Sequence, residues 1–125
     1  MLNDSSTFPV LPAADLARAT AFYRETLGLT VAFEAEGGVA FTAGNGTMLF
    51  IYPHGATKAE HTVAGFMVDD LDSTVAGLRA KGVAFEEYDM PGLKTVDGIA
   101  DAGGTNAAWF KDSEGNILSI GSLPA

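Results

Sequence analysis

The chain has no cysteine, only seven basic residues and no long apolar run. Without cysteine there is no disulfide, no thiolate metal ligand and no thiol nucleophile, a composition that fits the cytoplasm. Seven Lys and Arg stand against sixteen Asp and Glu, for a net charge of −9. Binding a phosphate backbone needs a basic patch, so no nucleic acid is expected as a partner. Anionic membranes are disfavoured for the same reason. A small cation would be attracted, although an acidic surface also serves solubility alone. No apolar stretch approaches the roughly 20 residues of a membrane helix, and "MLNDSSTF" carries neither the basic nor the apolar segment of a signal peptide. Histidine is scarce too, at His54 and His61 only.

What is present is a core-forming sequence of 125 residues, 47% of them apolar. That suits a single domain or two small half-modules sharing a core. Phe8 to Leu11 reads as a strand, after which Asp15 caps a helix with Leu16, Ala19, Tyr23 and Leu27 on one face and Gly28 as its stop. "LTVAFEAE", "VAFTAG" and "TMLFIYP" follow as strands separated by glycine turns. From His61 the pattern restarts: strand "HTVAGFMV", a helix capped by Asp70 and stopped at Gly82, strand "VAFEEYD", a loop over 91–105, then strands "NAAWF" and "NILSIGS" around the turn Asp112 to Gly115. The loop carries Gly92, Gly98, Gly103 and Gly104 and is either a lid or a connector.

The halves superpose. Asp15-Leu16 falls on Asp70-Leu71, Arg24 on Arg79, and Leu49-Phe50-Ile51 on Leu118-Ser119-Ile120, with the first helix one residue longer from cap to stop. This indicates an internal duplication of a βαβββ module, 8–53 and 61–122 within one domain. The expected fold is α+β, two βαβββ modules whose mixed sheets pair into a half-barrel cleft, a natural ligand pocket. Inward residues alternate along the strands, giving equivalent inner positions in each module.

The segments "VLPAADLARATAFYRETLGL" and "WFKDSEGNILSI" resemble the vicinal oxygen chelate superfamily, also called the glyoxalase/bleomycin-resistance/dioxygenase superfamily. The resemblance spans nearly the whole chain. It implies a metal held by His, Gln or Glu on the first and last strands of each module. Those positions fall on Phe8, Val63, Phe50 and Ser119, and metal-binding relatives carry Glu where Ser119 stands. Phenylalanine and valine cannot ligate a metal, and a hydroxyl is a poor ligand. A one-residue slip brings in Thr7 or Pro9, Leu49 or Ile51, Thr62 or Ala64, and Leu118 or Ile120, which make no metal centre either. No metal and no cofactor is therefore expected. His61 shares the Val63 face, but a lone histidine near a strand end is more often a surface residue than a ligand.

The first module is similar to the bleomycin-resistance branch, whose members are dimers that bind a cationic drug beside aromatic rings. The second resembles a broad bacterial group without assigned roles. The resemblance implies a homodimer that binds a small molecule, cationic or planar, and sequesters an antibiotic or metabolite without metal. The alternatives are a lyase, isomerase or dioxygenase with an atypical or absent metal site, and a structural relative whose cleft is filled. Candidate pocket residues are Phe8, Phe50, Tyr52, His61, Val63, Trp109 and Ser119. Phe8, Phe50 and Tyr52 either offer stacking faces or fill the barrel. Trp109 either lines the pocket or packs beneath the second helix, and Met48, Met67 and Met90 are pocket wall or core. No catalytic residue is assignable.

Overall fold

The computed structural model describes residues 1–102 and 105–122, and the chain divides into two compact units, Met1–Thr57 and Lys58–Ala125. In the first unit, β1 (Val10–Ala13) leads to α1 (Leu16–Ala21), then β2 (Thr30–Ala35), β3 (Gly38–Thr42) and β4 (Met48–Pro53). The sheet order is β1-β4-β3-β2, with β1 parallel to β4 and the other pairs antiparallel. The second unit runs β5 (Thr62–Met67), α2 (Leu71–Ala80), β6 (Asp89–Met90), β7 (Leu93–Val96), β8 (Ile99–Ala102), β9 (Thr105–Lys111) and β10 (Ile117–Ser122). Its order is β5-β10-β9-β8-β7-β6, with β5 parallel to β10. The fold is α+β with two mixed sheets, and β1, β4 and β3 correspond to β5, β10 and β9.

Both helices start where their capping residues dictate. The Asp15 carboxylate accepts from the Arg18 N–H at 3.0 Å and the Asp70 carboxylate from the Ser73 N–H at 3.2 Å, each relieving a donor with no partner inside the helix. The extra residue of the first helix is taken up by winding. After Ala21 the helix widens into a π-helical turn, Phe22–Thr26, in which the Leu27 N–H reaches back to the Phe22 carbonyl at 3.1 Å. A π turn holds one residue more than an α turn between bonded groups.

Alternation then sorts the faces. In the first unit Leu11, Phe41, Leu49 and Ile51 are buried with Ala19 and Tyr23 of the helical segment, and Tyr23 meets Phe41 ring to ring at 5.7 Å. In the second, Phe110, Leu118 and Ile120 are buried with Leu71 and Val75 of α2. Each such side chain contributes about 1.5–3 kcal/mol by leaving water. The opposite, helix-free face carries Val10, Phe50 and Ala40 in the first unit and Gly65, Ser119 and Trp109 in the second.

Three expectations need correction. The first strand begins at Val10, so Phe8 lies ahead of it. "VAFEEYD" is not a full strand: Phe85 bridges Phe110 and the Glu86 N–H donates to the Trp109 carbonyl at 2.8 Å, while regular pairing resumes only at β6. The cause is β8, which covers the Thr105 to Ala108 half of the β9 edge and leaves only the remainder. The described part of the segment 91–105, residues 91–102 and 105, is not a loop. Its turns are Pro91-Gly92, joining β6 to β7, and Asp97-Gly98, joining β7 to β8. Asp97 and Gly98 have φ of 53° and 82°, the pair of left-handed residues that a two-residue hairpin turn of matching twist requires. Gly103 and Gly104, also expected in that loop, lie outside the described residues.

Candidate functional site

On the helix-free face of the second unit, a cavity of about 310 Å³ opens between the strands of the sheet and a β-hairpin. Its floor comes from Thr62, Trp109 and Ile117 of β5, β9 and β10. Its far wall is Tyr88, Met90 and Leu93, and Glu60 and His61 stand at the β5 entrance. The hairpin supplies three side chains because its pattern alternates. Tyr88 and Met90 are two apart on one strand and Leu93 pairs with Met90 across the turn, so all three share a face. Asp89 and Lys94, paired on the other face, are exposed.

Trp109 lies between Ala108 and Phe110, both fully buried on the α2 side, so the pleat turns its indole the other way, into the cavity. The Tyr88 ring stands edge-on to it, with centroids 5.5 Å apart and planes at 83°, the arrangement that ring quadrupoles favour. Burial raises the Tyr88 phenol above its ordinary pKa, with a further contribution from the Glu86 carboxylate. The phenol therefore stays neutral at physiological pH and keeps its O–H as a donor. Glu86 also lies 3.8 Å from the Lys111 ammonium.

Ser119 sits in one cross-strand row, with Gly65 on one side and Trp109 on the other. The glycine is what makes room: a Cβ at position 65 would come within 2.6 Å of the Ser119 Oγ. Val63 is the extra residue of a bulge, since Thr62 opposes Ile117 and Ala64 opposes Leu118. His61 is exposed just before β5. The second unit thus brings His61 and Trp109 into one cavity, with Ser119 next to Trp109 and Val63 close to Thr62 in the chain.

The other three candidates belong to the first unit. Phe50 is half-buried between Val10 and Ala40, and a bulge at Ala32 turns Phe33 onto the same face opposite Ala40. The result is an apolar row, Phe33-Ala40-Phe50-Val10. Phe8, two residues before Val10, is 55% exposed. Tyr52 is half-buried and meets the ring of His54 edge-on at 5.8 Å. Of the methionines, Met90 lines the cavity and Met67 is 70% exposed, outside the core.

Tyr88, Leu93, Ile117, Thr62 and Glu60 were not anticipated. The available signal was Tyr-x-Met-Pro-Gly-Leu, alternation broken by a turn dipeptide. The donor set does not fit a divalent metal. The four positions to which the resemblance assigns metal ligands hold two phenylalanines, a valine and one hydroxyl, and among the described residues no group of three or more His, Asp or Glu comes together.

The sequence model of the Glyoxalase/Bleomycin resistance protein/Dioxygenase superfamily matches residues 7–120. Among solved structures, the chain is similar to a glyoxalase family protein from Enterococcus faecalis, with 19% identity over 97% of this chain and 99% of that one and a TM-score of 0.72. It is also similar to a lactoylglutathione lyase from Agrobacterium tumefaciens, with 24% identity, 94% and 93% coverage and a TM-score of 0.69. A third is the genomically encoded fosfomycin resistance protein FosX from Listeria monocytogenes, with 15% identity, 95% and 93% coverage and a TM-score of 0.71. These likenesses establish the fold. No curated protein matches the chain in sequence. Among the described residues, no helix is long and apolar enough to cross a membrane.

Proposed function

Because the chain belongs to the glyoxalase/bleomycin resistance protein/dioxygenase superfamily, we propose that it is a cytoplasmic, metal-independent small-molecule-binding protein that sequesters a planar, cationic antibiotic or metabolite. The observation that carries this reading is the cavity walled by Tyr88 and Trp109. About 310 Å³ is at the lower end of the range of small-ligand sites, and its walls are aromatic and aliphatic. Glu60 is its one carboxylate, and no Lys or Arg lines it among the described residues. With the net charge of −9, this favours a cation over an anion. Phe8, Phe50, Val63 and Ser119 supply no metal donor set, which supports binding without one.

A thermal-shift screen against planar cationic antibiotics and 2-oxo metabolites tests the proposal. A ligand at a hundred times its Kd stabilises by about 2.7 kcal/mol, an easily read rise in Tm. No shift from any planar cation would remove the ligand class. Stoichiometric zinc, nickel, manganese or iron in protein purified without chelator would remove the metal-independent part.

An enzyme, a lyase or isomerase, is the second reading, favoured by two titratable rings, His61 and Tyr88, in one cavity. Turnover of a 2-oxo compound, lost in both His61→Ala and Tyr88→Phe, would replace sequestration with catalysis. A homodimer is part of the proposal, supported by Phe8, Val10 and Phe33, each at least half exposed. Sedimentation at the mass of a single chain would argue against it.

A further inference from the structure

The strand pair that walls the cavity is too short to hold itself in place. β6 and β7 share two residue pairs, Asp89 with Lys94 and Met90 with Leu93, and a two-stranded ribbon of that size has no independent stability. β7 is fixed from its other side. It pairs with β8, and the turn that joins them is held by the Arg79 guanidinium on the Asp97 carbonyl and by the Glu87 carboxylate, which accepts from the Gly98 N–H. The free arm is the one that carries Tyr88 and Met90. At Tyr88 itself the arm is tied to β7 through Thr95, 7% exposed and outside the cavity lining, beside the two β6–β7 pairs and the Glu87 carboxylate on the Gly98 N–H. The Thr95 hydroxyl accepts from the Tyr88 N–H at 2.8 Å and donates to the Tyr88 carbonyl at 3.3 Å. The Thr95 N–H donates to that same carbonyl at 2.8 Å. Where the arm peels off the sheet, a side chain has replaced half of the backbone ladder.

We infer that Thr95 is a positioning residue for the cavity, its hydroxyl fixing the Tyr88 arm so that the Tyr88 ring stays edge-on against Trp109. This rests on the proposed function, because a positioned wall matters to binding only if the cavity takes a ligand. The physical argument is that both backbone polar groups of Tyr88 find their partner in Thr95. Loss of the hydroxyl orphans the Tyr88 N–H, which costs the arm its fixed place. The Tyr88 ring then loses its fixed edge-on contact with Trp109, and the cavity wall loses its shape.

The test uses the full chain and has a ligand-free arm and a ligand arm. Without ligand, the Tyr88 amide of the unaltered protein exchanges as slowly as the amides of β10. In Thr95→Val, which keeps the shape and removes the hydroxyl, it exchanges about tenfold faster relative to β10, and Thr95→Ser restores the protection. With ligand, N-methylquinolinium is titrated against the fluorescence of Trp109, the single tryptophan. Thr95→Val weakens that planar cation about tenfold while Thr95→Ser does not. A fast Tyr88 amide in the unaltered protein, or equal exchange in Thr95→Val, overturns the inference without recourse to any ligand. Equally tight binding of N-methylquinolinium by all three forms overturns the effect of Thr95 on binding. If the amide loosens and recovers as expected but no form binds N-methylquinolinium, the positioning role stands and the planar-cation reading falls.

Discussion

Replacing Asp112 by alanine is expected to destabilise the protein by about 2–6 kcal/mol. Asp112 is 6% and Asn116 2% exposed, and one carboxylate organises the whole turn between β9 and β10. Oδ1 accepts from the N–H of Glu114 at 2.9 Å and of Asn116 at 2.8 Å. Oδ2 accepts from the Asn116 side-chain amide at 2.9 Å. Alanine strips a partner from all three donors. The Glu114 N–H is near enough to solvent to find water, but the two Asn116 donors are buried. A buried donor left unmatched costs about 1–3 kcal/mol, which gives the stated range. Total stability for a chain of this length is about 6–19 kcal/mol, so the loss is a large share of it. Urea unfolding followed by Trp109 fluorescence measures it, and the corresponding fall in Tm in a thermal scan is about 8–23 °C.

The sharper check on this turn is an exchange of its partners. Asn116→Asp alone sets two carboxylates face to face in a buried site and is the worst of the series. Asp112→Asn combined with Asn116→Asp puts an amide opposite a carboxylate again and recovers at least about 1 kcal/mol over Asn116→Asp alone, a coupling typical of residues in one network. A cost below about 1 kcal/mol for Asp112→Ala, or no coupling in the double variant, refutes the account of the turn.

Gly38→Ala is expected to cost more than about 3 kcal/mol. Its φ is +150°, and the new Cβ would overlap the Ile51 carbonyl and lie 2.9 Å from the Phe50 ring; calorimetric unfolding decides. Tyr88→Phe removes part of the alkaline loss of stability. Because the folded phenol has the higher pKa, the unfolded chain gives up its proton first, so stability is full below about pH 10 and falls as pH rises through the folded value. Equal unfolding profiles of the two proteins above pH 10 would contradict this. Ser119→Glu creates no tight zinc site, since Phe8, Phe50 and Val63 add no ligand, and stoichiometric zinc uptake in titration calorimetry would overturn that placement.

The features legible from sequence were those fixed by local chemistry. Asp15 and Asp70 announce helix starts because a carboxylate there has backbone donors to satisfy whatever the rest of the chain does. The run from Asp112 to Asn116 announces a turn for a similar reason, and the repeat appears because two segments with the same capping and stopping residues align. The segment 83–105 could not be parsed in this way. Whether Phe85 and Glu86 form a strand depends on how much of the β9 edge β8 already covers, which is a competition for hydrogen-bonding partners and not a propensity. The site suffers likewise. Trp109 faces the cavity because Phe110 faces α2, and the sequence offers both assignments equally until the helix is placed. Tyr88, Met90 and Leu93 form a wall only once Pro91-Gly92 is a turn within a hairpin.

The π-helical turn at Phe22–Thr26 bears on tolerance to insertion. The two helical segments differ by a residue, yet each begins at a capping Asp and ends at a Gly. An insertion into a strand would have turned every later side chain over, and one into a tight turn would have shifted a register. Within a helix the added residue was swallowed by a looser coil, and its neighbours were spared. Removing one residue from that turn should return an ordinary α-helix of the same length as its counterpart, with β1 and β2 left where they are.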